Sequence, residues 1–560
     1  MPLFLHYLKL FKFRIFGIFC LSLLSGLTSI AVLNYINNKL LSPSNFDMLN
    51  LIVFIAILLA FLCLQVIVQF AISTLGHRIV FLLRKRIVKQ IIDSSYQNIK
   101  SQGKDRILAS LNSDLDSISR VFIHLPDLTQ GIVIGLCTGI YLAYLSIPLL
   151  LITIVALAVI LFGMHLIVAK VVKNFTIYRN TKDYLTADYQ TVLDGHRELK
   201  INNSKAKQFY LKRFVNNAEA SRRTIVRTDF FHFLGNNFFD VMVLMLVGVI
   251  FFLAYSFNLA SIEKATTFAV TILFIRNFIS AAVSSIADIS LGVVSIGKLN
   301  KLEFVDFSED FNEQDLINPN WQTIRFENVT YTYPKANPLD NNQQKAKVEQ
   351  FSLEPLNFTL KRGEVTFLIG KNGSGKSTLS LLLSGLVEPT GGTIYVDEQA
   401  INTPELSHSY RGLLTSIFSD FYLFAEIAKD GEESEKLIDQ WLDILEIRGK
   451  VEVINQTLST TSLSTGQRKR LALLTAIAEQ RSFIILDEWA ADQDPYFRSV
   501  FYRQIIPQIK QMGITVFAIS HDDAYFDVAD NIFLINQGKL RILNDSERLT
   551  EAHKAVEENL

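Results

Sequence analysis

Apolar positions are spread unevenly along this chain. Long apolar runs fill the first 300 residues, while short apolar runs alternate with charged stretches from about Asp306 onward. A bilayer core is crossed by roughly 20 apolar residues in helix. Ile15–Asn38 and Met48–Gly76 contain no charged residue. Leu128–Ala169 is also free of Asp, Glu, Lys and Arg, and Leu145-Ser-Ile-Pro148 near its middle divides it into two helices joined by a tight turn. Val241–Ile262 is a fifth span, and Ala265–Ala287, interrupted only by Arg276, is a sixth. The pattern predicts an all-α membrane domain of six helices over residues 1–300, a polar linker over 301–320, and an α/β domain over 321–560.

Charge orients the spans. Lys9, Lys12 and Arg14 precede the first helix, and the segments after the second and fourth helices are rich in Lys and Arg. The opposite loops hold little beyond Lys39 and Lys264. Positive loops stay on the cytoplasmic side, so both termini and everything after Asn300 are expected there. The basic start followed by an apolar stretch is read as an uncleaved first helix, because the stretch is too long for a signal peptide. The two basic loops carry apolar residues at helical spacing. They are read as membrane helices continuing into the cytosol and turning back near Asn98–Leu111 and Leu193–Ser204. Their basic faces can touch anionic lipid head groups.

Composition narrows the class. Hydrophobic residues make up 49% and charged residues 19%, which excludes a disordered chain. With 54 basic and 54 acidic residues there is no global basic field, so nucleic acid is not an expected partner. Cys20, Cys63 and Cys137 are too scattered for a zinc site or a disulfide framework and are read as buried thiols.

The second half carries phosphate chemistry. Gly370-Lys-Asn372-Gly373-Ser374-Gly375-Lys376-Ser377-Thr378 fits G-x-x-x-x-G-K-[ST], between an apolar strand, Val365–Ile369, and a helical stretch, Leu379–Leu386. Its backbone N–H groups would close around phosphate oxygens, Lys376 would reach the β- and γ-phosphates of ATP, and Ser377 would ligate Mg²⁺. A second strand, Phe483–Leu486, delivers Asp487 for the metal and Glu488 for the attacking water.

Leu463-Ser464-Thr465-Gly466-Gln467, ahead of a basic helical run, resembles the signature motif of ABC ATPases, with Thr465 where Gly is usual. Ser464 and Gly466 would cap that helix and bind a γ-phosphate. The resemblance implies more. Tyr333 resembles the aromatic that stacks on adenine, His521 the switch histidine at the γ-phosphate, and Asp494 the D-loop aspartate facing a partner subunit. Ser419 stands where the family has a Gln that touches magnesium. Ser is shorter, so water or Asp420 is the expected substitute for direct contact.

Six membrane helices followed by one nucleotide-binding domain resemble a half-size ABC exporter. One P-loop and one signature per chain imply a dimer, most simply of two identical copies. Phe418-Ser-Asp-Phe and Asp487-Glu-Trp-Ala-Ala-Asp-Gln-Asp-Pro495 resemble the cyclic-peptide and siderophore branch, which includes pyoverdine- and microcin-type exporters of Gram-negative inner membranes. That implies ATP-driven export of a peptide-like cargo by alternating access. No peptidase domain is expected ahead of the first helix. A broad multidrug or lipid exporter, and a regulatory membrane partner with weak ATPase, are the competing readings. For the cargo path the candidates are Arg276, Asp240 and Asn237. A charge at bilayer depth faces a cavity or a partner, so Arg276 either contacts cargo or pairs with Asp240.

Overall fold

The computed structural model describes residues 11–36, 39, 48–257, 259, 261–300, 302, 304–311, 315–333, 351–427 and 431–544. Lys9, Asn38 and Pro334 of the expected segments lie outside the described residues. The chain forms two compact units, one made of residues 1–89 and 103–304 and the other of residues 90–102 and 305–560.

The first unit is helical. Among the described residues, six helices are long and apolar enough to cross a membrane. They are α1 (Lys12–Tyr35), α2 (Met48–Asp93), α3 (Leu115–Leu145), α4 (Ile147–Asp194), α5 (Val215–Ser256) and α6 (Ile262–Asn300). Ser146, in extended conformation, separates α3 from α4, and Pro148 fits the first turn of α4, where its missing N–H costs nothing. The fifth helix stops at Ser256, so Ile262, expected at its end, begins α6 instead. At 48 residues α4 is about 72 Å long, more than twice a bilayer core. A short helix, His196–Ile201, follows α4, and another, Tyr96–Gln102, follows α2 and belongs to the second unit.

Apolar side chains on membrane helices gain little by facing each other rather than lipid, so close backbone approach must hold the helices. Glycines supply it. A Cβ on Gly131 of α3 would sit 2.8 Å from the Phe278 carbonyl oxygen of α6 and 2.5 Å from the Ala282 Cβ. One on Gly292 of α6 would collide with Val121, and one on Gly76 of α2 with Phe122. Buried carboxylates add polar ties. Asp114 accepts from Arg179 at 2.6 Å and from Ser295 at 3.0 Å, joining the start of α3 to α4 and α6. Asp188 of α4, fully buried, accepts from Arg213 and from Asn217 of α5, each at 2.7 Å. Cys137 is buried, but Cys20 and Cys63 are exposed on their helices rather than buried as expected. Lipid would cover them at no polar cost.

The second unit is built on a six-stranded sheet. Its strands are β3 (Val365–Ile369), β6 (Leu414–Ile417), β7 (Phe483–Asp487), β8 (Thr515–Ile519), β9 (Asn531–Asn536) and β10 (Lys539–Leu543). The order is β10-β9-β3-β8-β7-β6, with all neighbours parallel except β9 and β10. Every residue of β3, β7 and β8 is buried, which explains their unbroken apolar runs. Their side chains alternate between two cores. Phe367, Ile369, Ile484 and Leu486 join the core under the helix α8 (Thr465–Ala478). Leu368, Phe483, Ile485 and Phe517 join the other, beside the helix α7 (Lys376–Leu383). That second core is closed by an antiparallel sheet of β1 (Thr323–Thr332), β2 (Ser352–Lys361), β4 (Gly391–Val396) and β5 (Gln399–Ala400). Phe326 and Phe358 pair across β1 and β2 with ring centroids 4.4 Å apart. Trp321, fully buried, donates its indole N–H to Ser482 at 2.9 Å and fastens the chain just ahead of β1.

The glycine contacts give a stability test. Gly131→Leu, which meets backbone, is expected to cost about 1–3 kcal/mol by overpacking and to lower the thermal midpoint in lipid nanodiscs. Gly248→Leu on α5, with nothing within 4 Å, is expected to leave it near the wild-type value.

Candidate functional site

Three adjacent parallel strands, β3, β8 and β7, end at one edge of the sheet, and each delivers a loop of functional side chains there. Ligands of α/β sheets bind outside these carboxyl ends. The loop after β3 is the P-loop, the loop after β7 carries Glu488, and the loop after β8 carries His521. Asp487 is the last residue of β7, one position further into the strand than the sequence pattern placed it.

The P-loop needs its glycines. Gly373 and Gly375 adopt φ of 77° and 112°, where a side chain is strained. A Cβ on Gly370 would collide with the Ile535 carbonyl. The loop curls so that Lys376 donates to the carbonyls of Gly370 at 2.8 Å and Lys371 at 3.3 Å. Ser374 is buried, and its hydroxyl has no hydrogen-bond partner among the described residues. Ser377 and Asn372 are exposed at the mouth, and Thr378 is buried. Tyr333 lies beside this loop, its hydroxyl 3.2 Å from that of Thr378 and its ring edge-on to Tyr331.

Across the site, Glu488 takes a left-handed φ of 48°. Its backbone N–H donates to Ile519 of β8 at 3.2 Å, and its carboxylate lies 3.4 Å from His521 Nε2. Ser419, exposed, reaches Asp487 through its backbone N–H. The Ser419 position therefore sits beside the metal-binding candidate without a long side chain.

Burial sets the charges of the site against their ordinary ionisation. Burial, followed by repulsion from Glu488, pushes the Asp487 carboxyl up, against the Ser419 N–H, Lys376 and Lys469. Burial holds the Lys376 ammonium below its ordinary range, opposed by Glu488 and Asp487. An orphaned hydroxyl, a glycine cradle at a helix N-terminus and a buried cation fit a nucleotide's phosphates. A hydroxyl and a carboxylate, both hard oxygen donors, fit Mg²⁺. Among the described residues no cluster of three His, Cys, Asp or Glu could hold another kind of metal.

The signature segment opens α8. Ser464 is its N-cap, accepting from Gln467 N at 3.4 Å, and Ser464 and Thr465 are exposed. Gly466 does not cap the helix as expected. It lies in the first turn, where a Cβ would come 2.9 Å from the Asp492 carbonyl oxygen. Asp494 caps a helix of its own, accepting from Phe497 N at 2.9 Å, and pairs with Arg470 at 3.2 Å. Lys469 and Arg470 are buried and grip the loop that follows Glu488. The signal for this lay in Asp492-Gln-Asp494, two carboxylates that give buried cations partners.

In the membrane unit, Arg276 pairs with Asp240 at 2.9 Å. Arg276 also lines a cavity of about 480 Å³ between α3, α4, α5 and α6, whose wall is otherwise almost wholly apolar. Its Nε is buried without a hydrogen-bond partner among the described residues, as is the Thr138 hydroxyl in the same wall. Asp240 and Asn237 are not among the lining residues, and Asn237 is exposed.

The raised Asp487 carboxyl makes a pH-dependent prediction. A carboxyl with a raised folded value favours the protonated fold, so its contribution is present at acid pH and lost as pH rises through that value. Asp487→Asn is therefore expected to raise the thermal midpoint of nucleotide-free protein at about pH 7 and to do so less at about pH 4. The same variant is expected to lose at least about a hundredfold in Mg²⁺-dependent ATP hydrolysis. Thermal scans at both pH values and a phosphate-release assay read the two effects.

Comparison with known proteins accords with this arrangement. Residues 15–283 match the family model of the ABC transporter transmembrane region, and residues 353–491 match that of the ABC transporter. The chain is 29% identical over 561 residues to the ATP-binding protein SyrD of Pseudomonas syringae pv. syringae, covering 95% of this chain and 94% of that one. The energy-coupling factor transporter ATP-binding protein EcfA2 of Lactobacillus delbrueckii subsp. bulgaricus is 32% identical over 260 residues, 41% of this chain and 85% of its own. The fold is similar to that of a bacterial Atm1-family ABC exporter with ATP bound, with TM-score 0.77 and 16% identity, covering 98% and 99% of the two chains. The chain belongs to the ABC transporters, with an ABC transmembrane region followed by an ABC ATPase domain that couples ATP hydrolysis to transport, in the fold of an Atm1-family exporter.

Proposed function

We propose that this exporter moves a peptide-like compound, such as a cyclic peptide, a peptide siderophore or its precursor, out across a bacterial cytoplasmic membrane. The observation that carries the ATP-driven part is the convergence of Lys376, Asp487, Glu488 and His521 at one sheet edge. The cargo class is supported by the branch strings around Ser419 and Trp489, and by a guanidinium with unused donors in the wall of an apolar cavity.

Two copies would form the working unit, with Ser464–Gln467 of each facing the nucleotide held by Gly370–Thr378 of the other. The exposure of Ser464 and Thr465 suits that role. Binding at both segments favours the closed pair, and that difference in affinity is what can drive a conformational change. Mg²⁺, when bound, would neutralise developing phosphate charge, with Ser377 and Asp487 as its protein ligands. Lys376 and the P-loop amides hold the phosphates. Glu488 orients and deprotonates the attacking water, and His521 keeps its carboxylate in place. Basic loops on the cytoplasmic side would place both termini and the ATPase domain there.

The Arg276–Asp240 pair and the cargo role are compatible, because one carboxylate contact leaves most guanidinium donors free. A lipid or multidrug cargo is the second reading, and the apolar lining of the cavity favours it.

ATPase activity in lipid nanodiscs separates these readings. Cyclic peptides and siderophore precursors are expected to stimulate hydrolysis selectively. Stimulation by lipids or hydrophobic drugs alone would replace the peptide reading. Arg276→Ala is expected to raise the peptide concentration for half-maximal stimulation about tenfold or more. A folded Arg276→Ala protein with unchanged peptide response would remove Arg276 from the cargo path. Glu488→Gln is expected to slow turnover about 10²- to 10⁴-fold, and persistent hydrolysis in that variant would overturn its assignment.

A further inference from the structure

We propose that Lys469 is a positioning residue for Glu488, and that it ties the signature helix to the loop carrying the carboxylate that acts on water. The inference rests on the role given to Glu488 under Proposed function. Lys469 lies in the second turn of α8 and is only 2% exposed. A buried ammonium needs partners, and both that the structure gives it lie on one loop. Its Nζ donates to the backbone carbonyl of Glu488 at 2.7 Å and pairs with Asp492 at 2.7 Å.

The tie is reciprocal. The Trp489 indole N–H donates back to the Lys469 carbonyl at 2.9 Å, and its ring is fixed by stacking on Phe501 at 4.3 Å. Gln493 donates to the Gly466 carbonyl at 3.0 Å and accepts from Arg470 at 3.0 Å. Gly466, Lys469 and Arg470 of the signature helix thus hold the loop at both its start and its end.

Glu488 needs such an anchor. Its left-handed backbone is a conformation that a non-glycine residue keeps only when its surroundings impose it. The Ile519 carbonyl pins its N–H on one side, and Lys469 pins its carbonyl on the other. With both ends held, the carboxylate direction follows from the helix position. If the signature segment of one subunit grips the other subunit's nucleotide, Lys469 transmits that grip to the carboxylate of its own subunit's site.

The test uses the full-length protein in nanodiscs, with kcat and the KM for ATP measured for each variant. Lys469→Met removes the shorter of the two bonds to the Glu488 carbonyl, leaving the Ala491 N–H at 3.3 Å, and is expected to lower kcat about tenfold to a hundredfold, as misplacement near an ångström does. KM for ATP is expected to stay within about twofold, because the P-loop is untouched. Lys469→Gln and Lys469→Arg, which keep an N–H for the carbonyl, are expected to recover most of the rate. In a Glu488→Gln background, Lys469→Met is expected to add no further loss. Unchanged kcat in Lys469→Met would overturn the proposal. So would a joint fall of kcat, ATP affinity and thermal midpoint that neither Gln nor Arg rescues, because that is the mark of a merely structural residue. Hydrolysis that survives Glu488→Gln would sink the Glu488 assignment and this role together. Hydrolysis lost in Glu488→Gln but intact in Lys469→Met would sink this role alone.

Discussion

The parallel pairing of β3, β8 and β7 is the constraint on which the ATPase half depends. Parallel strands share a direction, so the loops that leave them emerge at one edge. The P-loop, the Asp487–Glu488 pair and His521 come from segments more than a hundred residues apart at their extremes, yet strand order alone makes them neighbours. The strands can take that central place only because both faces of each are covered. Phe367 and Leu368 go to opposite cores, as do Ile484 and Ile485. Exposure of either face would leave an apolar surface to water, and the edge that holds the chemistry would lose its frame.

That frame keeps charges in places they would not choose. Asp487 and Lys376 are both buried enough for their charged forms to be disfavoured, and Asp487 stands next to a second carboxylate. Such sites are less stable without a ligand than neutral ones would be, and the same strain makes ligand binding favourable. Glu488 is held in a left-handed conformation at the join between strand and loop. The surrounding hydrogen bonds, rather than its own preference, set its direction.

The membrane half meets a different requirement. In lipid every backbone group is satisfied within its own helix, so the helices are cylinders that must find another reason to associate. Close approach at Gly76, Gly131 and Gly292 and buried carboxylates at Asp114 and Asp188 provide it. Arg276 is the costly exception inside the apolar span, and its placement at a cavity wall with one carboxylate partner is what such a charge requires.

Much of this was legible in the sequence. Apolar runs of membrane length, uncharged in all but the sixth, defined the six spans, because lipid tolerates few other patterns. The P-loop spacing defined the phosphate cradle, because only glycine accepts the backbone angles seen at Gly373 and Gly375. Strand ends could be read at Ile369 and near Leu486, and the ion pair of Arg276 with Asp240 stood as one of two readings. Other features required the tertiary structure. The basic run at Arg468–Arg470 reads along the sequence only as a basic helical stretch, and its packing against the loop of Asp492-Gln-Asp494 is what turns two of its cations into buried ties. Likewise Gly466 reads as part of a cap, while its true constraint is the approach of the Asp492 carbonyl. Local patterns report what a segment can do in isolation. Which buried charge meets which partner depends on contacts between segments distant in the chain, and those exist only after the sheet and helices have packed.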